Sequence, residues 1–197
     1  MAIALRCRCG KVQGEVDPER AYARGTCYCK DCQAYARFLG ELELVDSKGG
    51  TDVVPMSPDG VRITIGVENV TCMSLSERGV LRWYTSCCRT PLGNTPRDPK
   101  VAYVGMATAC FDAAPEAIDG AYGARDHVVL NAGSATGKVR ATPLAFLFGG
   151  LRILRGIVAG RIRRQLPTLF FDSEGHPIRA PQVLDAAQRN ALGANPT

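Results

Sequence analysis

Seven of the nine cysteines in this chain of 197 residues stand in three tight groups, and no other feature constrains its folding as strongly. The first group is Cys7-Arg8-Cys9-Gly10. The second is Cys27-Tyr28-Cys29-Lys30-Asp31-Cys32, and the third is Cys87-Cys88 within Tyr84-Thr85-Ser86-Cys87-Cys88-Arg89-Thr90-Pro91-Leu92. Thiolate is the preferred soft ligand of zinc, and closely spaced cysteines on tight turns are how chains supply it. Two Zn2+ sites are expected. Cys7, Cys9, Cys87 and Cys88 would make a closed structural site that ties an N-terminal hairpin to a distant one and contributes directly to folding. Cys27, Cys29 and Cys32 would make a second site with three thiolates and an open position. Adjacent cysteines point in opposite directions in an extended chain, so Cys87 and Cys88 meet one ion only on a sharp turn; Cys88 is the first choice of ligand and Cys87 the second. Buried free thiols are the competing reading of the first site. For the second, the competitors are closure by Cys72 or Cys110 and a metal-free redox triad. Cys72 and Cys110 otherwise read as small buried hydrophobes and Trp83 as core. His127 and His176 receive no catalytic role.

The length suits one domain, or one domain with an extension, and apolar residues at 46% with charged residues at 22% indicate a globular chain. An odd cysteine count, and a start without a basic stretch leading into a long apolar one, predict a reducing, cytoplasmic setting. The net charge of +5 is uneven: from His127 to Phe171 there is no acid, against seven bases, Lys138, Arg140, Arg152, Arg155, Arg161, Arg163 and Arg164. That describes a basic tail on a near-neutral body. Too few aromatic residues accompany these bases for a nucleic-acid platform, so no nucleic acid is expected; an anionic membrane surface suits them better.

Along the chain, residues 2–8 and 11–16 read as a hairpin with Gly10 at a positive φ. Residues 33–39 read as a short helix ending at Gly40. Period-two alternation predicts strands over 41–45, 52–56, 61–67, 70–75, 80–85 and 101–106, separated by turns such as Ser57-Pro58-Asp59-Gly60. Residues 91–99 and 113–120 read as loops, and 122–131 as a last strand. Thr142 and Pro143 then open an amphipathic helix running to Arg164, with Arg152, Arg155 and Arg163 on one side and Ile153, Leu154, Ile157 and Val158 facing away. Four glycines weaken it, and two arginines inside it argue against a transmembrane span. The expected fold is mainly β, with a zinc-binding β domain over 1–112, a last strand and linker over 113–141, and a basic, partly helical extension over 142–197. The extension is expected to pack on the β domain with its arginines in solvent.

At its cysteine motifs the chain resembles the glutathione-dependent formaldehyde-activating enzyme family, which includes centromere protein V. That family carries C-x-C-G, then C-x-C-x-x-C, then C-x-x-C-G-[ST]-P-L. Here these are Cys7 to Gly10, Cys27 to Cys32, and an altered third motif over Thr85 to Leu92. Thr85 stands at the third motif's first Cys, Arg89 at its Gly, and Tyr28 where His is common. Over roughly residues 3–110 the resemblance implies several coiled antiparallel sheets around zinc. It also implies a structural zinc on Cys7, Cys9 and the downstream pair, and a catalytic zinc on Cys27, Cys29 and Cys32. The implied chemistry is that of a carbon–sulfur lyase, acting on a small thiol or a glutathione–aldehyde adduct, with Lys30 or Arg37 available to hold a glutathione carboxylate. The alternative is a non-catalytic zinc module whose basic tail binds a partner or a membrane surface.

Overall fold

The structure, a computed structural model, describes residues 1–41, 44–163 and 167–194. It is mainly β, with one sheet of three strands, one of eight, and a long helix in the C-terminal part. Strands β1 (Ile3–Arg6) and β2 (Gln13–Val16) form the expected hairpin, with Leu5 opposite Gly14 and Gly10 at φ +76° in the turn. Strand β5 (Val61–Ile65) pairs with β2 to complete the small sheet.

The large sheet is built from β3 (Gly25–Cys27), β4 (Thr51–Met56), β6 (Val70–Ser74), β7 (Leu81–Thr85), β8 (Pro91–Thr95), β9 (Val104–Ala107), β10 (Val128–Leu130) and β11 (Gln182–Val183). Their order across the sheet is β10-β3-β4-β9-β8-β7-β6-β11. The interior pairs are antiparallel, as expected. The two outermost, β10 on β3 and β11 on β6, are parallel.

Three segments differ from their sequence reading. Residues 91–99, expected as loop, contain the central strand β8. Its Pro91 is the first residue, where a missing N–H costs no ladder bond, and a Cβ on Gly93 would lie 2.7 Å from the Gly105 carbonyl oxygen. The composition that suggested a loop thus reflects close backbone approach. Residues 113–120, also expected as loop, lie in helix α2 (Pro115–Tyr122), opened by its first-turn proline and anchored by buried Ile118. The strand expected over 122–131 is only β10. The strand expected over 41–45 falls partly on residues 42–43, outside the described residues; Val45 bridges Thr51 and Leu44 is buried.

Trp83 is fully buried at the centre of the main core, among Leu5, Val54, Met56, Leu92 and Met106. The Phe170 and Phe171 rings stand 5.2 and 6.4 Å from it, so the chain beyond the long helix returns to the core. A second cluster joins α1 (Lys30–Leu39), through Ala34, Tyr35, Ala36 and Leu39, to Met73, Leu75 and Leu184. Buried Arg24 spans the Asp52 carboxylate at 3.1 and 2.8 Å and reaches Asp119 of α2 at 2.6 Å. Cys72 and Cys110 are buried thiols, as expected.

Helix α3 (Pro143–Arg163) packs differently from its sequence reading. Three of the four glycines expected to weaken it form its inner face: Gly149 and Gly160 are buried and Gly156 lies under the Tyr22 ring, whereas Gly150 is exposed. The bulky residues Leu144, Leu147, Leu151 and Leu154 are exposed. Arg164 lies outside the described residues.

This packing gives a prediction. A Cβ on Gly156 would stand 2.2 Å from Tyr22 Cε1, and the Tyr22 hydroxyl is held by the Ala102 carbonyl at 2.9 Å. Gly156→Ala should therefore destabilise by about 1–3 kcal/mol through overpacking, against a helix-propensity gain of about 1 kcal/mol. Gly150→Ala, whose Cβ meets nothing within 4 Å, should keep that gain. Denaturant unfolding of the two variants reads the opposite signs.

Candidate metal centres

The first centre forms where the hairpin of the small sheet meets the β7–β8 turn. Cys7 ends β1 and its sulfur accepts the Val12 amide at 3.2 Å. Its sulfur lies 3.5 Å from that of Cys9 and 3.9 Å from that of Cys87; Cys9 to Cys87 is 3.4 Å and Cys87 to Cys88 is 3.9 Å. A zinc ion bonded to four sulfurs at about 2.3 Å requires tetrahedral edges of about 3.8 Å. All four sulfurs lie within 4.8 Å of one another and none is in a disulfide. Spacing and soft-donor chemistry both fit the ion.

Both members of the adjacent pair join the group. Cys87 touches both Cys7 and Cys9, and Cys88 reaches the group beside Cys87. The sharp turn this needs is supplied by Arg89, whose φ is +58° and whose amide donates to the Thr85 carbonyl at 2.7 Å. Thr85, at the position of the motif's missing first Cys, turns its hydroxyl to Cys88 at 3.4 Å, and Thr90 does the same at 3.2 Å. Burial opposes ionisation of Cys88, but these hydroxyls bring its thiol down to about 5. The Arg8 amide donates to Thr90 at 3.1 Å and its guanidinium to the Cys88 carbonyl at 2.6 Å, binding the two turns together.

The second centre sits at the start of α1. Cys27 is the last residue of β3, Cys29 is the N-cap of α1, and Cys32 lies in its first turn. The Cys29 sulfur accepts the Cys32 amide at 3.3 Å, so the helix begins at Lys30, earlier than the Gln33 expected. A helix N-terminus presents positive potential, which favours thiolates. The three sulfurs lie within 4.8 Å of one another, and among the described residues no other His, Cys, Asp or Glu joins them. Cys72 donates instead to the Arg179 carbonyl and Cys110 to the Ala107 carbonyl.

Three neighbours of this centre were not found by sequence reasoning. The alternation of β7 sends Arg82 to the face opposite Trp83. There its buried guanidinium lies 5.3 Å over the Tyr35 ring, with Nη1 at 3.9 Å from the Cys32 sulfur. The Cys32 thiol is held well below its usual range by Cys27 and Cys29, and Arg82 adds to this. Three thiolates around a dication carry one negative charge, which the guanidinium offsets at close range. Arg82, Thr51 and Asn94 enclose with Cys32 a chamber of about 20 Å³, room for one water. The Tyr103 hydroxyl is pushed up to about 12 by burial and then by the charges of Cys27 and Cys32. The Asn131 amide donates to the Cys27 sulfur at 3.5 Å. A charge inside Leu81-Arg82-Trp83 is the one signal the sequence offered; Asn131, 104 residues from Cys27, gave none. Of the two cations expected to hold a carboxylate, Arg37 donates to the Leu192 carbonyl at 2.8 Å and Lys30 is exposed.

Residues 1–165 match the model of a family described as a family of unknown function, DUF6151. No curated protein matches the chain. A crystal structure of a Rhodobacter sphaeroides protein, a structural-genomics target, is similar at 21% identity, with a TM-score of 0.42 over 58% of this chain and 94% of that one.

Elemental analysis should find two zinc equivalents per chain. Cys7→Ser should remove one equivalent and lower Tm by more than about 10 °C, because a structural ion's binding energy is folding energy. Cys29→Ser should remove the other with a smaller drop, read by calorimetry. Arg82→Met should weaken the second equivalent by about 10- to 100-fold in chelator competition, as loss of an outer partner does, and leave the first unchanged.

Proposed function

We propose that this chain, which belongs to the DUF6151 family of unknown function, is a zinc-dependent enzyme of the glutathione-dependent formaldehyde-activating kind. It would make and break the carbon–sulfur bond between a small thiol and an aldehyde. One observation carries this reading: the first cysteine group has four members and the second three, with no further protein ligand among the described residues. Four thiolates close a structural site, whereas three leave a coordination position for a ligand. When bound there, zinc supplies a Lewis-acid position that holds a thiol as thiolate at neutral pH.

The chain's own residues supply the remaining chemistry. Arg82 offsets the charge of the thiolates from one side. Tyr103, whose hydroxyl burial holds protonated at neutral pH, is a donor suited to the oxygen of an aldehyde adduct. In the forward direction the thiol gives up its proton to solvent. Its sulfur bonds to the carbonyl carbon, and the carbonyl π pair moves to oxygen, which takes up a proton. The reverse direction releases thiol and aldehyde, and neither direction changes oxidation state. A cleft of about 630 Å³ is lined by Tyr28, Lys48, Asp126, Arg140 and Thr142, with none of the three cysteines in its wall. These two cations suit the carboxylates of a glutathione-like thiol better than Lys30 or Arg37.

Exchange NMR on mixtures of formaldehyde with glutathione or smaller thiols tests the reading. The protein with both zinc ions should accelerate interconversion of thiol and hemithioacetal, and Cys29→Ser should abolish the acceleration while keeping the first zinc. Lys48→Ala and Arg140→Ala should raise KM with kcat little changed. Two zinc ions without any acceleration would overturn the enzyme reading and leave a metal-stabilised module.

A further inference from the structure

Helix α3 carries a conspicuous apolar stripe that the body leaves uncovered. Its glycine face is turned inward: a Cβ on Gly149 would lie 3.4 Å from Val128 and 3.8 Å from Ala23, and Gly156 lies under Tyr22. At 100° per residue, Leu144, Leu147, Leu151, Leu154, Val158 and Ile162 fall on the opposite side. These six side chains are 51–78% exposed. Apolar residues scattered singly on a surface are ordinary, but a continuous stripe along about five helical turns marks an interaction face.

The charge around the stripe indicates what covers it. Arg152, Arg155, Arg161 and Arg163 are all exposed on α3, and the chain from His127 to Phe171 contains no acid. A second copy offering the same face would set arginine against arginine, which opposes self-association. Nucleic acid would satisfy the charge but offers no bed for a row of aliphatic side chains. An anionic bilayer surface offers both, with an apolar boundary beneath negative headgroups. By length and composition α3 is also able to cross a bilayer. Two features oppose that: its glycine face is committed to the body, and Arg152 and Arg155 would stand near the hydrocarbon centre.

We propose that α3 docks the protein on an anionic lipid surface, lying in the headgroup plane with the β body packed behind it. The stripe points away from the body, so docking requires no rearrangement of the fold. The inference is independent of the metal chemistry.

Flotation of the full-length protein, zinc included, with phosphatidylcholine–phosphatidylglycerol vesicles tests it. The protein should float with the mixed vesicles and remain below with phosphatidylcholine alone. Leu147→Glu with Leu151→Glu and Leu154→Glu should reduce the bound fraction by more than about tenfold. Arg152→Glu with Arg155→Glu should reduce it by at least about tenfold at low salt. Unchanged zinc content in both variants reports an intact fold. Absence of flotation, or equal flotation of the leucine variant, would overturn the proposal. So would resistance of the bound protein to alkaline carbonate, which marks a span. A lipid-free dimer that the leucine variant converts to monomer would overturn it too, by identifying a second copy as the cover.

Discussion

Four sulfur atoms brought to near-tetrahedral spacing, from two turns 80 residues apart, meet where the small sheet joins the large one. The small sheet is a hairpin with one added strand, too little to bury a core of its own. It is attached to the large sheet through the shared core, where Leu5, Val16 and Val61 cluster with Val54 and Trp83, and through the Cys7–Cys9 and Cys87–Cys88 turns. Thiol groups at 3.4–3.9 Å attract one another weakly. The same four groups around a divalent cation form a strong, directional junction. The hydrogen bonds of Arg8 to Thr90 and to the Cys88 carbonyl lie across the junction and orient it.

The second cysteine group solves a different electrostatic problem. It sits under the N-terminus of α1 with a buried guanidinium on its flank, so both a helix dipole and a full charge favour the ionised sulfurs. A buried arginine without a negative partner is costly, and the cost makes Arg82 informative: its position is reasonable only if the sulfur group beside it carries negative charge. The Asn131 amide adds a donor to the Cys27 sulfur.

The cysteine groups were legible because ligand spacing is local and thiol chemistry is narrow. Strands β5 and β6 were legible from alternation, and β4 and β7 from the turns that bound them. What was lost was set by tertiary packing. Helix α1 starts at Lys30 because a cysteine caps it, and cysteine is not among the strong capping residues. Strand β8 was hidden by Pro91, Gly93 and Asn94, residues that signal turns unless the neighbouring backbone approaches closely, as Gly105 does. Gly149, Gly156 and Gly160 of α3 looked like weaknesses in an isolated helix and are the face it packs against the body. Arg82 was hidden because an arginine at an alternating position of a strand normally faces water, whereas β7 is covered on both sides.

The different spans of the two cysteine groups have a consequence during synthesis. Cys27, Cys29 and Cys32 emerge from the ribosome within six residues of one another, whereas the other set stays incomplete until Cys88 appears, 56 residues after Cys32. At about 5–20 residues per second that interval is about 3–11 s. During that interval the nascent chain can hold an ion on the local trio and has no complete four-sulfur set to compete for it. The two cysteine groups are therefore completed in a fixed temporal order, the three-cysteine one first.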